Sequence, residues 1–187
     1  SLSPDETING QVDDTYRTVE STDLLFGKYD LVAEPDNKTG IMTEDQIVVT
    51  YYYRLKDTSV LVHYYIKDTT TSLSADVTIN GQIDDEYTTT VASDIPEQYE
   101  LVAEPDNKAG TMTVEQTVVT YYYRLKETGV NVHYYKEGTT EKVSEDVEIT
   151  GRVDDTYTTT PATNVASKYE LIEAPANATG TMTEDRI

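Results

Sequence analysis

The alternation of apolar and polar positions predicts short β-strands along most of the chain. Residues 60–65 alternate between two faces, as expected for a half-buried strand. Residues 130–135 repeat this segment but carry Asn131 at the position of Leu61, so the other face is predicted to point into the core. That inward face comprises Val60, Val62 and Tyr64.

Three further strands are predicted in the same unit, at residues 76–80, 99–103 and 117–125. Gly81 follows the first of them, where a backbone without Cβ can bend or bulge. The positions expected to point inward beyond the first strand are Ile79, Ile83 and Tyr87. One side of the last strand carries Val119, Tyr121, Tyr123 and Leu125. Residues 88–98 are predicted to form a crossover loop with one helical turn.

A tight turn is predicted at residues 105–110, which read Pro-Asp-Asn-Lys-Ala-Gly. Pro105 fixes φ, and Asp106 and Asn107 are expected to bond their own backbone. Gly110 is interpreted as the residue that permits a positive φ.

This pattern returns about every 70 residues, which is the signature of a tandem array. Gly10, Gly81 and Gly151 keep the step, and the segment Tyr51-Tyr-Tyr-Arg-Leu-Lys recurs from Tyr121. We divide the chain into a first copy (1–58, lacking the first strand), a complete second copy (59–128) and a third copy (129–187, lacking the last strand). The first copy has one extra residue before Gly27.

The ends and joins of these copies lead to two structural expectations. Residues 57–59 and 127–129 are predicted to be linkers so short that neighbouring copies form a semi-rigid, elongated array. Each incomplete copy is expected to leave a sheet edge open, to be filled by pairing with another chain unless the folded unit is shifted in phase. Because both ends fall inside a repeat, we expect the chain to be part of a longer protein.

Composition adds constraints on partners. The formal net charge of −21 argues against nucleic acid and anionic membranes as partners, since such binding needs clustered Lys and Arg. No apolar run is long enough to insert into a membrane, and the absence of Cys excludes disulfides. The 16 tyrosines are expected to supply the core that scarce Leu and Ile do not.

Taken together, these motifs resemble the mucin-binding protein (MucBP) repeat of Gram-positive surface adhesins, which is related to internalin-type surface repeats. The resemblance is carried by Val-x-Val-x-Tyr, Gly-x-Val/Ile-x-x-x-Tyr-Thr-Thr, Tyr-x-Leu-Val, Pro-x-Asn-x-x-Gly and Thr-Val-x-Tyr-x-Tyr, and it extends over all three copies. It implies a mainly β fold of small β-grasp-like (ubiquitin-like) modules. It also implies display on the cell wall of a bacterium, with adhesion to host mucus or a spacer role.

Candidate ligand-binding residues lie on the outward strand faces. Tyr65, Tyr122 and Tyr135 offer flat rings suited to the apolar face of a sugar, although cross-strand packing and contacts between copies also explain them, and packing is the favoured interpretation. His63 and His133 recur at one repeat position beside these tyrosines. We interpret the histidines as structural or surface residues, because one His per copy does not provide the converging ligands of a metal site.

Acidic pairs recur after the glycine step, as in Asp84-Asp85, and allow two interpretations. They supply oxygens of the kind that Ca²⁺ binds, yet no EF-hand spacing is present, so turn caps are favoured. No nucleophile–base pair or acid–base pair is evident, which predicts a protein that is not an enzyme and has no cofactor. The predicted function is multivalent adhesion to mucin or another host glycoconjugate, and the alternative is a stalk that projects another binding domain.

Overall fold

The fold was determined as a computed structural model, which describes residues 1–21 and 27–185. The extra residue predicted before Gly27 falls in the segment that lies outside the described residues. The described chain is mainly β, as predicted, and contains no α-helix. Its strands are β1 (Thr15–Arg17), β2 (Tyr29–Ala33), β3 (Thr39–Ile41), β4 (Tyr52–Leu55), β5 (Asp57–Ile66), β6 (Val77–Gln82), β7 (Glu86–Thr88), β8 (Tyr99–Ala103), β9 (Ala109–Thr111), β10 (Thr117–Leu125), β11 (Glu127–Val132), β12 (Val147–Arg152), β13 (Thr156–Thr158) and β14 (Thr179–Thr181).

The complete second copy is built around a four-stranded sheet in the order β6-β5-β10-β8. The outer pairs are antiparallel, with Val60 opposite Ile79 and Leu125 opposite Tyr99. The central strands β5 and β10 run in the same direction. Gln116, just before β10, donates from Nε2 to Ser59 Oγ near the start of β5 (2.7 Å). At the other end, the amide of Lys67 donates to the carbonyl of Tyr123 (2.8 Å).

Alternation along the central strands assigns the core correctly. Val60, Val62 and Tyr64 are 0%, 1% and 4% exposed, as the sequence pattern predicts. Their partners on β10 and beyond β6 are also buried; they are Val119, Tyr121, Tyr123, Ile83 and Tyr87. The two tyrosine rings of Tyr64 and Tyr121 stack with centroids 5.7 Å apart, so aromatic side chains replace aliphatic ones at the centre of this core.

A small two-stranded ribbon recurs in each copy, formed by β1 with β3, β7 with β9 and β13 with β14. In the second copy Tyr87 lies directly opposite Gly110. A Cβ at Gly110 would meet the Tyr87 hydroxyl at 3.2 Å, so this glycine makes room for a ring. Its φ is not among the positive values, and the predicted reason for Gly110 was therefore wrong although the turn itself is present.

Two more local predictions need correction. Residues 89–98 form turns and irregular chain, so the predicted helical turn is wrong. The β-grasp-like assignment stays a prediction, because that fold carries a helix at this crossover. The side chain of Asn107 does not bond its own turn but donates from Nδ2 to the carbonyl of Val118 in β10 (2.9 Å), tying the turn to the sheet.

The described chain divides into two compact units, and each unit contains part of the second copy. Unit 1 comprises Ser1–His63, Ala75–Val91 and Pro105–Thr120, and unit 2 comprises Tyr64–Ser74, Ala92–Glu104 and Tyr121–Ile187. The join between the first and second copies therefore lies inside unit 1. The join between the second and third copies lies inside unit 2.

Within unit 1, Lys56 is the single residue between β4 and β5. Its amide donates to the carbonyl of Lys28 in the first copy (2.9 Å), and its carbonyl accepts from the amide of Ile83 in the second (3.0 Å). An ion pair between Lys28 Nζ and Asp84 Oδ1 (2.7 Å) reinforces the same join. The linker predicted at residues 57–59 was wrong, because these residues belong to β5.

Unit 2 repeats this join at Lys126, between β10 and β11. The Lys126 amide donates to the carbonyl of Gln98 (2.9 Å), and its carbonyl accepts from the amide of Val153 (3.1 Å). Lys126 Nζ also contacts Glu184 Oε1 at 3.1 Å. Residues 127–129 thus belong to β11 and are not the predicted linker. A single residue, with no flexible segment, connects β10 to β11.

The first and third copies show how strand formation depends on neighbouring strands. β4 has four residues and pairs with β2, whereas the equivalent β10 has nine residues and lies between two strands. Residues 169–173, equivalent to β8, form no strand, and Leu171 and Ile172 are exposed. Strand formation therefore depends on having the partner strand and not only on the local sequence. Pairing of the open edges with another chain stays a proposal.

Candidate binding surface

Two of the predicted tyrosines lie on outward strand positions, Tyr65 on β5 and Tyr122 on β10. Tyr135 lies beyond β11, which ends at Val132 and is shorter than the predicted strand at residues 130–135. On β10 Val119, Tyr121 and Tyr123 are buried, and the alternation leaves Tyr122 on the other face with 42% of its surface exposed. Tyr135 in the third copy is 45% exposed, whereas Tyr65 in the second copy is half-buried. Tyr135 and Tyr65 each form an isolated bridge, to Lys142 and Ser72, that closes the loop after the strand.

The third copy brings two of the predicted residues together. The rings of His133 and Tyr135 stack with centroids 5.6 Å apart and an interplanar angle of 20°. His133 Nδ1 lies 3.0 Å from Asp146 Oδ2, which fixes the orientation of the imidazole. The pair therefore presents an exposed, preoriented aromatic surface beside polar groups, which is the type of surface that stacks on a sugar ring.

Asp146 also accepts a hydrogen bond from Lys142 Nζ at 2.7 Å. The Lys142 bond, followed by the His133 bond, lowers the pKa of the Asp146 carboxyl below its usual range. The same bond raises the pKa of Lys142. The charged forms of both partners are therefore favoured at neutral pH, and Asp146 is held by contacts with both Lys142 and His133.

The second copy preserves only part of this arrangement. His63 Nδ1 lies 2.9 Å from Asp76 Oδ1, and the His63 side chain is 18% exposed compared with 48% for His133. Ser72 occupies the position of Lys142. His63 therefore matches the structural interpretation of the histidines more closely, while His133 is more accessible to a ligand.

Sequence reasoning did not identify the acidic partners of the histidines. A signal was present, because His63 and Asp76 recur with the same spacing as His133 and Asp146. The spacing places the aspartate immediately before the following strand, from where its side chain contacts the histidine. Lys142 carried no such signal, since it occurs in one copy only.

The recurring acidic pairs act as turn caps in all three copies. The first aspartate of each pair has a left-handed backbone, with φ of +72°, +72° and +71° at Asp13, Asp84 and Asp154. The second accepts an amide three residues earlier, as in Asp85 Oδ2 to Gln82 N (2.7 Å). In the part of the chain that the structure describes, no cluster of three or more His, Cys, Asp or Glu is arranged to hold a metal ion. The same residues include no helix long and apolar enough to span a membrane.

Comparison with known proteins gives consistent matches. The family described as MucBP domain matches residues 1–54, 59–124 and 129–186. Internalin J of Listeria monocytogenes serovar 1/2a is 35% identical over 187 residues, covering 97% of this chain and 21% of that protein. Internalin J of serotype 4b is 36% identical over 186 residues, covering 97% and 20%. The chain thus spans about a fifth of the length of these relatives.

Proposed function

Because the chain belongs to the MucBP domain family in three tandem copies, we propose that it is a non-catalytic adhesion module that binds mucin or another host glycoconjugate. The family and the similarity to Internalin J point to a bacterial surface or secreted protein. Display on a Gram-positive cell wall is part of the proposal. The observation that carries the binding role is the exposed, stacked pair of His133 and Tyr135, positioned by Asp146.

The net charge restricts the ligand. A chain with a formal charge of −21 is repelled by sialylated and sulfated glycans at low salt. The proposed ligands are therefore neutral sugars, which contact tyrosine rings through their apolar faces and hydrogen-bond to the polar groups at the ring edges.

Tandem copies add strength by tethering. Each weak contact raises the effective concentration of the next, so overall binding can exceed a single site by about 10²–10⁴ where the geometry permits. Tyr122 in the second copy and Tyr135 in the third are the proposed contributors, with Tyr65, His63 and His133 beside them. The proposed modules are residues 1–58, 59–128 and 129–187.

The test is binding of the whole chain to immobilised mucin in 0.15 M salt. We expect the triple variant Tyr122→Ala/His133→Ala/Tyr135→Ala to weaken binding at least tenfold. The matched control is Thr156→Ala/Thr158→Ala, which removes exposed side chains from β13. Equal loss in both variants, or full binding by the Tyr-depleted chain, would contradict a role for this surface. Preservation of the fold is checked by the thermal melting midpoint.

The second candidate function is a spacer that projects another binding domain from the cell wall. The strand-to-strand joins at Lys56 and Lys126 favour it, because a spacer needs rigid connections between its modules. Failure of the well-folded parent chain to bind mucin or neutral glycans at all would favour this function over adhesion.

A further inference from the structure

The chain enters the second copy through β5 and leaves it through β10, and these strands are neighbours at the centre of the sheet. The ends of the pair are marked by the Ser59–Gln116 contact on one side and the Lys67–Tyr123 bond on the other. A pull along the chain therefore acts on the start of β5 and the end of β10, at opposite ends of a parallel pair. We propose that this pair is a mechanical clamp and that the second copy bears tension.

The direction of the strands decides how the clamp responds to force. The hydrogen bonds between two parallel strands are evenly spaced along the ladder. When the strands slide past each other, these bonds share the load and break together. When the strands are peeled apart from one end, the bonds break one after another. Because β5 and β10 are parallel, tension applied at Lys56 and Lys126 pulls them in shear and does not peel them apart.

Packing protects the ladder on its inward side. Val60 and Val62 from β5, and Val119 and Tyr121 from β10, are at most 1% exposed. Water cannot replace the strand bonds from this side until the apolar contacts are also broken, so the opening of the ladder and the opening of the core are one event.

The joins deliver force directly to the clamp. Lys56 and Lys126 are single residues between strands, and both backbone groups of each are hydrogen-bonded. A flexible linker would extend first and absorb displacement, but here the backbone of one sheet continues into the next. Extension of the chain therefore loads β5 and β10 at once.

The first and third copies lack this arrangement in the described residues. There β4 pairs antiparallel with β2, and β11 pairs antiparallel with β12. Neither strand has a parallel partner in the described ranges. One high-force event, from the second copy, is therefore expected among weaker ones.

Single-molecule force spectroscopy tests the clamp, and the absence of Cys makes introduced cysteines unique attachment points. The variant Asp57→Cys/Glu127→Cys pulls the strands in shear. The matched variant Lys67→Cys/Glu127→Cys pulls at the same end of both strands and peels them. We expect the shear variant to need at least threefold more force at the same loading rate. Equal forces, or a weaker shear variant, would overturn the proposal.

A second measurement uses the unmodified chain held by its two termini, so it does not depend on the cysteine variants folding. The expected record contains one dominant event that releases about 230–260 Å of contour, the length of residues 57–127 when extended. A record with only low-force events would overturn the clamp. The outcome does not depend on mucin binding, so failure here and failure of the adhesion proposal are distinguishable.

Discussion

Individual tyrosines combine core packing with hydrogen bonding at the core edge. In the third copy Tyr134 donates its hydroxyl to the carbonyl of Thr160 (2.9 Å), and in the first copy Tyr53 accepts from the amide of Ser21 (2.9 Å). The hydroxyl of Tyr123, equivalent to that of Tyr53, is buried without a hydrogen-bond partner of normal geometry among the described residues. Tyrosine thus fills a core with few aliphatic residues, and the Tyr123 hydroxyl is left with only a poorly aligned interaction with the backbone of Ala92.

The buried tyrosines predict loss of stability at high pH. Burial raises the pKa of Tyr64, with smaller contributions from Tyr121 and Asp94, and burial likewise raises the pKa of Tyr123. Since the folded-state values lie above the ordinary value near 10, their contribution to stability is complete below about pH 10. It is lost as the pH rises from there through the raised values.

The measurement is urea unfolding between pH 8 and 11.5, with tyrosine ionisation followed by absorbance. The variant Tyr123→Phe should show a smaller loss at high pH and, because it removes a hydroxyl without a well-aligned hydrogen bond, nearly unchanged stability at pH 7. Tyr52→Phe, at an exposed ring, is the control and should behave like the parent chain. Identical alkaline curves for Tyr123→Phe and the parent would contradict this account.

At the scale of strands and turns, the alternation pattern was sufficient to predict the inward faces of β5 and β10. It was not sufficient to explain Gly110. A glycine is needed there because the ring of Tyr87, more than twenty residues away in sequence, occupies the space that a Cβ would fill. The same limit applies to Asn107 and Val118, which meet only when the turn folds onto β10. Local spacing reports periodicity, whereas these roles depend on pairing between distant segments.

The turn after β6 provides a direct test of the acidic pair. We expect Asp85→Ala to lower the free energy of unfolding by about 1–2 kcal/mol, because the bond to the Gln82 amide is made by a charged acceptor. Chemical denaturation measures the change. Glu86→Ala, which removes the same charge from the adjacent exposed position, is the control.

If the acidic pair caps the turn, the equivalent aspartate in the third copy should have the same effect. Asp155 Oδ2 accepts from the Arg152 amide at 2.7 Å, so Asp155→Ala should cost a similar amount. If Glu86→Ala were as costly as Asp85→Ala, general charge effects and not capping would be responsible.

At the scale of the whole molecule, acidic residues dominate the energetics of the surface. The chain has 35 Asp and Glu but 14 Lys and Arg, so most carboxylates have no basic partner even in principle. Net repulsion therefore opposes the compact state, more strongly than isolated surface ion pairs support it.

Salt should consequently stabilise the folded chain. Raising the ionic strength from 0.02 to 0.5 M shortens the screening length from about 20 to 4 Å and weakens this repulsion. We expect the melting temperature to rise by a few degrees, where about 2–4 °C corresponds to 1 kcal/mol in a chain of this size.

The control replaces sodium chloride with choline chloride at equal ionic strength, which separates screening from ion binding. A calcium chloride series at matched ionic strength tests the calcium interpretation of the acidic pairs in the same experiment. An unchanged or lower melting temperature in both monovalent salts would contradict the dominance of repulsion.

The tandem organisation was predictable from the sequence because the copies are so similar, but the joins were not. Residues 57–59 and 127–129 are polar and include Ser59 and Gly129, a composition typical of linkers. Their conformation is decided by backbone partners on both sides, such as Thr58 opposite Gly81. Composition alone does not reveal such partners.

The fully bonded backbone at Lys56 and Lys126 also affects how the protein survives outside a cell. Trypsin-like proteases cleave after lysine, but they need a segment that can leave its surroundings and extend into their active site. The junctions between copies are usually the weakest points of a tandem protein, yet here each would have to be pulled out of two sheets before it was cut. Where such enzymes are present, the copies would therefore remain joined even though the sequence offers a cleavage site.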